Sequence, residues 1–162
     1  MHAFPRSQSA LHGLGEIPFH VDGAHLDQPP RYVVLACAKP GDAPAATSIV
    51  RLIDVVLSPS YREQLDSTPF LVRNGRRSFY STIASWRRSF VRFDLACMEP
   101  VSSDGIELIK VLSSALRECH RQNIIWQQGG IVIIDNWRAL HGRSPRRGLV
   151  SPDRSLLRVY VQ

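Results

Sequence analysis

At 162 residues the chain has room for one domain with a real core and too little for two, and its 44% hydrophobic content excludes a disordered chain. The net charge of +6 rests on 20 basic residues, of which only Lys39 and Lys110 are lysines, so a bias toward arginine explains the charge more simply than a nucleic-acid partner does. No stretch approaches the ~18 apolar residues of a membrane span, and no apolar run follows Met1, so neither a spanning helix nor a signal peptide is expected and the chain reads as cytoplasmic.

Residues 1–16 are rich in Ser, Gly and His and read as a flexible lead-in to a single domain over 17–162. "IPFHVDGAHL" follows, with apolar Ile17 and Phe19 and then His20 and Asp22 at a two-residue step. In an extended strand such residues share a face. "RYVVLACAKPG" (31–41) is a β-branched run closed by Pro-Gly and reads as a buried strand. "DAPAATS" is a loop, and "IVRLIDVVLSPSYREQL" is expected to hold two short helices split near Pro59. "FLVRN" (70–74) is a short strand stopping at a turn pair, and "SFVRFDLACM" (89–98) alternates well enough for another. Between them, Arg73, Arg76, Arg77, Arg87 and Arg88 mix with Phe79, Tyr80, Trp86 and Phe90, which suits a lid or pocket wall.

The clearest helix begins after Ser102 or Ser103, with Asp104 and Glu107 at its positive end. Ile106, Ile109, Leu112, Leu116 and Cys119 form its expected apolar face. "NIIWQQGGIVIIDN" reads as strand, Gly-Gly turn, strand, and "LLRVYVQ" as a last strand. The three cysteines, Cys37, Cys97 and Cys119, show no metal spacing and suit a reducing compartment. His2, His12 and His120 read as solvent-facing, His25 as surface or pocket rim and not a ligand, and Arg143, Arg146 and Arg147 as solvated. Strands dominate, with one long helix and a few short ones, which suits a mainly β fold: a sheet sandwich or barrel with a helix packed outside.

The stretch "IVIIDNWRALHGRSPRRGLVSPDRSLLRVYV" runs from an apolar strand through Asp135-Asn136 to His141-Gly142-Arg143. His141 joins His20 and Asp22 as a third candidate ligand. Two imidazoles and a carboxylate on one face of a metal ion leave positions open for a co-substrate and dioxygen, the facial arrangement of non-haem Fe(II) sites. The same residue types also suit zinc.

Here the chain resembles the clavaminate synthase-like and taurine dioxygenase-like (TauD-like) oxygenases. "FHVDGAH…PPRYVVLACAKPG…ATS" is similar to their metal-strand region, and "IDNWRALHGR…DRSLLRVYV" to their C-terminal signature. The resemblance implies a jelly roll, or double-stranded β-helix, with one long and a few short helices packed outside, and Fe(II) held by His20, Asp22 and His141, with 2-oxoglutarate and O₂ as co-substrates. It implies Thr47 and Arg154 as the grip on the distal carboxylate of 2-oxoglutarate, and Arg158 as a contact to an acidic group of the primary substrate. Asp135, Asn136 or Arg138 would orient His141 or simply form the turn. The implied activity is hydroxylation of a small polar molecule, such as an amino acid or derivative, with release of succinate and CO₂. The alternative is a truncated, non-catalytic jelly-roll module that binds metal or ligand, since family members carry a longer region before the H-x-D motif. That short N-terminus also predicts a homodimer, with contacts around Ile17 and Phe19 or near Leu112.

Overall fold

A computed structural model describes residues 12–13, 15–41, 45–85, 89–144 and 153–162. Along the chain run β1 (Ile17–His20), β2 (Tyr32–Lys39), β3 (Thr47–Arg51), a 3-10 turn (Leu52–Asp54), α1 (Pro59–Ser67), β4 (Phe70–Val72), β5 (Phe79–Ser81), β6 (Met98–Pro100), α2 (Ser103–Glu118), β7 (Gln122–Ile124), β8 (Ile131–Asp135), β9 (Ala139–Arg143) and β10 (Ser155–Val161). The strands form antiparallel sheets in the orders β1-β9-β3-β7, β10-β2-β8 and β5-β4-β6. The architecture is the expected mainly β jelly roll with helices outside.

Period-two alternation builds its centre. On β2, Val33, Leu35 and Cys37 turn inward and meet Ile49 of β3, Ala139 of β9, Ile134 of β8 and Trp126 between the two larger sheets. The opposite face of β3 and β9 supplies Val50 and Leu140 to a second core, shared with Leu65 of α1, Phe70 and Val72 of β4, and Leu108, Leu112 and Leu116 of α2. The β9-β3 pair is therefore covered on both faces. Each packed core side chain contributes roughly 1.5–3 kcal/mol of burial.

Three expectations need correction. Thr47–Arg51 is a strand, where the end of a loop (Thr47, Ser48) and the start of a helix (from Ile49) were expected; a run of Thr, Ile and Val fits a pleated sheet better than a helical turn. Residues 89–98 are not one strand: only Met98–Pro100 joins a ladder, while the chain before it crosses the molecule, bonding Val21 N–H to Phe93 O and Val91 N–H to Trp137 O. On α2, Ser102 caps Gly105 N–H as expected, but the buried stripe is Gly105, Leu108, Leu112 and Leu116, and Ile106 faces solvent.

Ile17 and Leu112, expected at a contact between copies, lie in the chain's own core. The exposed apolar surface lies elsewhere. Leu157, Val159 and Val161 of β10 and Ile131 and Ile133 of β8 point out from the β10-β2-β8 sheet. In register, Val159 aligns with Val34 and Ile133, and Leu157 with Ala36 and Ile131. The three cysteines form no disulfide; burial, helped by Asp94, pushes the Cys97 thiol up to about 12. No helix among the described residues is long and apolar enough to cross a membrane.

Candidate metal centre

β1 and β9 carry two of the three candidate ligands directly opposite each other: His20 aligns with His141. A register shift between Ile17 and His20 makes this so. A regular continuation from the Ile17–Arg143 pair would set His20 against Leu140, on the other face. The bulge thus re-aims the imidazole, a common use of such irregularities beside sites. Gly142 permits it: a Cβ there would stand 2.6 Å from Ile17 O. This gives a backbone reason for the His-Gly pair in the signature.

The two rings lie 4.6 Å apart between centroids, tilted by 48°. Period two puts His141 on the face of Ala139, toward the inter-sheet core. His20 Nδ1 donates to Pro18 O at 2.8 Å, which fixes the tautomer and leaves Nε2 as the lone-pair nitrogen.

Asp22 arrives differently. β1 ends at His20, so Asp22 lies in a turn and strand periodicity does not place it. Gly23, with φ of +70° and no room for a Cβ beside Pro30, allows the sharp exit. The Asp22 carboxylate stands 3.5 Å from His20 Nε2 and 3.4 Å from His141 Nε2. Ligand atoms of all three residues fall within 4.8 Å of one another, and all three residues are buried. Burial alone would raise the Asp22 carboxyl, but the neighbouring His141 and His20 rings and the Arg158 charge hold it well below the usual carboxylate range. Burial also disfavours a charged His20, yet Asp22 outweighs it and raises that ring; at His141 burial prevails and the ring is lowered.

The chemistry of this donor set suits a divalent transition ion. Nε2 of His20, Oδ2 of Asp22 and Nδ1 of His141 are buried without hydrogen-bond partners among the described residues. Unpartnered buried polar atoms are costly, and an ion among them would satisfy at least one from each of the first two residues.

The remaining expected residues fall around this centre. Thr47 is buried on β3, and its Oγ1 accepts from the Trp126 indole N–H at 2.9 Å. Arg154 donates to Ala45 O at 2.6 Å, two residues before Thr47. Arg158 lies closer to the ligands than its expected role requires: Nη1 is 3.0 Å from Asp22 Oδ1 and 3.3 Å from the Tyr160 hydroxyl. Asp135 and Arg138 are turn formers, with Asp135 Oδ1 accepting Trp137 N–H and its carboxylate 3.8 Å from Arg138. Asn136 reaches Asp22, not His141.

Sequence reasoning missed Arg92, a fully buried guanidinium between Phe79 and Phe90 that donates to the carbonyls of Ala24, Leu26 and Asp27 just past the metal strand. Its signal was an arginine flanked by Val91 and Phe93. Trp126 was also missed; a lone indole beside Gly-Gly gives no hint of its partner. His25 and His120 are exposed as expected. Arg143 is engaged, donating to the carbonyls of Gly13 and Gly15. Of the arginine-aromatic stretch, Arg73 pairs with Glu99, while Trp86, Arg87 and Arg88, like His2, Arg146 and Arg147, lie outside the described residues.

Comparison with known proteins adds to this geometry. Residues 49–160 match the family described as taurine catabolism dioxygenase TauD, TfdA family. A 3-((Z)-2-isocyanoethenyl)-1H-indole synthase from Fischerella ambigua is 26% identical over 178 residues, covering 91% of this chain and 63% of that protein. An asparagine oxygenase solved with Fe(II), 3-hydroxyasparagine and succinate superposes with a TM-score of 0.74 at 22% identity, over 92% of this chain and 50% of its own. The non-haem iron oxygenase OrfP, with Fe, succinate and a dihydroxy-arginine, gives 0.74 at 18% identity, over 96% and 54%. The chain thus spans between half and about two thirds of the length of these relatives.

Proposed function

The chain belongs to the TauD/TfdA family of dioxygenases, and from that premise we propose that it is a 2-oxoglutarate-dependent non-haem Fe(II) oxygenase that hydroxylates a small polar substrate, such as an amino acid or its derivative. The observation that carries the reading is the buried convergence of His20, Asp22 and His141. Relatives of the same fold hold Fe(II), succinate and hydroxylated amino acids, which supports an amino-acid-like substrate. Fe(II), when bound, supplies the activation of dioxygen that couples decarboxylation of 2-oxoglutarate to hydroxylation of a C–H bond.

The chain's own residues hold and orient. His20 presents Nε2 because Pro18 O occupies its Nδ1–H. Asp22, kept ionised, supplies the anionic ligand. Thr47, its oxygen already accepting a hydrogen bond from the Trp126 indole N–H, has its own O–H to donate to an anion. With the Arg154 guanidinium near the same segment, it would grip the distal carboxylate of 2-oxoglutarate, whose burial needs a charged, hydrogen-bonded partner. Arg158, half-buried beside Asp22, would take the acidic group of the primary substrate. The inter-sheet apolar core, which His141 faces from the side of Ala139, would help to keep water from the centre. Self-association belongs to the same proposal: a second copy would cover the outer face of the β10-β2-β8 sheet.

Anaerobic addition of Fe(II) and 2-oxoglutarate tests the centre. The full chain should develop a visible charge-transfer absorption, and His141→Ala should abolish it. With ascorbate and O₂, slow conversion of 2-oxoglutarate to succinate should follow. A parent chain that binds the metal yet releases no succinate with any amino acid would favour the non-catalytic module instead.

A further inference from the structure

Two of the three candidate ligands are fixed by strand pairing, and the third is not. Asp22 lies beyond the end of β1, so something outside its own strand must aim it. Asn136 is fully buried, with 0% exposure. Its Oδ1 accepts Asp22 N–H at 2.9 Å, and its Nδ2 donates to Asp22 O at 2.9 Å and to Pro30 O at 2.8 Å. One amide thus holds both backbone groups of the carboxylate ligand, as a paired strand would, and closes the turn through Pro30.

Asn136 is itself firmly placed. It follows the last residue of β8, and its N–H extends the β2–β8 ladder by donating to Arg31 O at 2.8 Å. Five residues later comes His141, on the adjoining β9. A single short segment therefore carries one ligand and fixes the backbone of another. Ligand sets need such support, since an orientation left to a turn alone is loose.

We propose that Asn136 is the positioning residue for Asp22: it sets the carboxylate against the His20 and His141 rings and so determines metal affinity and coordination geometry. The inference rests on the metal reading above and extends it to a residue that touches neither metal nor substrate.

Co(II) is a suitable probe, because its visible spectrum reports coordination geometry as well as occupancy. The full chain, Asn136→Ala, Asn136→Ser and Asp135→Ala would each be titrated with Co(II), and the metal-free proteins unfolded thermally. Loss of the amide should weaken Co(II) binding about 10- to 100-fold and change the shape of the spectrum. Asn136→Ser, whose hydroxyl can replace at most one of these hydrogen bonds, should fall between parent and Ala, and carries the comparison should Ala not fold. Asp135→Ala removes a contact from the same turn that does not reach Asp22; it should lower the melting temperature and leave Co(II) affinity within about twofold of the parent. Parent-like affinity and spectrum in the Asn136 variants, or equal weakening by Asp135→Ala, would overturn the inference. A parent chain that binds no Co(II) would instead overturn the metal reading beneath it.

Discussion

Arg154 and Arg158 are four residues apart, and the structure gives them different company. Arg154 reaches the segment that enters β3, near Thr47, while Arg158 lies against Asp22 and Tyr160. Their contributions should separate accordingly. With Arg154 in its proposed role, Arg154→Ala would remove a charge-assisted grip of roughly 2–5 kcal/mol, so apparent 2-oxoglutarate affinity should fall at least about 30-fold. Arg158→Ala should weaken the primary substrate and leave 2-oxoglutarate turnover without substrate nearly intact. Titrating both variants anaerobically with 2-oxoglutarate decides the matter, and equal losses would contradict the division. Residue type made these candidates legible, as it did the ligands, because few side chains serve a metal ion or a buried anion. The route was less legible than the result: strand alternation suggested the His20–Asp22 pair, but a bulge re-aims the first and Asn136 holds the second. Long-range hydrogen bonds of this kind leave no local pattern.

Between β6 and the metal strand, Arg92 acts as a fastener for the turn past Asp22. Three carbonyls, of Ala24, Leu26 and Asp27, depend on its guanidinium. Arg92→Met would keep much of the volume and strand those acceptors, at roughly 1–3 kcal/mol for each one left without a donor. Urea unfolding should therefore show a loss of about 3 kcal/mol or more, and a loss under about 1 kcal/mol would mean that water replaces the arginine. The stretch around Arg92 looked like a strand because Val91 and Phe93 alternate with polar neighbours. That period records burial on one side, which a crossing segment shares with a strand. Helix α2 was legible because its Leu108, Leu112 and Leu116 step along one face. Its exact stripe was not, since Ile106 and Leu108 compete and only packing against β4 and β6 chooses between them. Thr47–Arg51 misled for the converse reason: a short apolar run carries no length by which to tell helix from sheet.

At the scale of the whole molecule, the outer face of β10-β2-β8 presents a row of exposed apolar side chains that no other described residue covers. Ile131 and Ile133 are each 66% exposed, beside Leu157, Val159 and Val161. A second copy on this face predicts a particle heavier than the 18.2 kDa chain by light scattering at micromolar concentration, and Ile133→Lys with Val159→Lys should return it to one chain. A parent that scatters as a single folded chain would count against the second copy. Deeper in, the β9-β3 pair has a different consequence. Strand β9 is flanked by β1 and β3 and covered on both faces, so its amides should exchange with deuterium only when the molecule opens globally. Asp22 rides on a turn held by the side chains of Asn136 and Arg92 instead of a ladder. The ligand positions thus differ in expected lifetime as well as in place: in deuterium exchange the amide of His141 should outlast that of Asp22, whose protection rests on the Asn136 side chain.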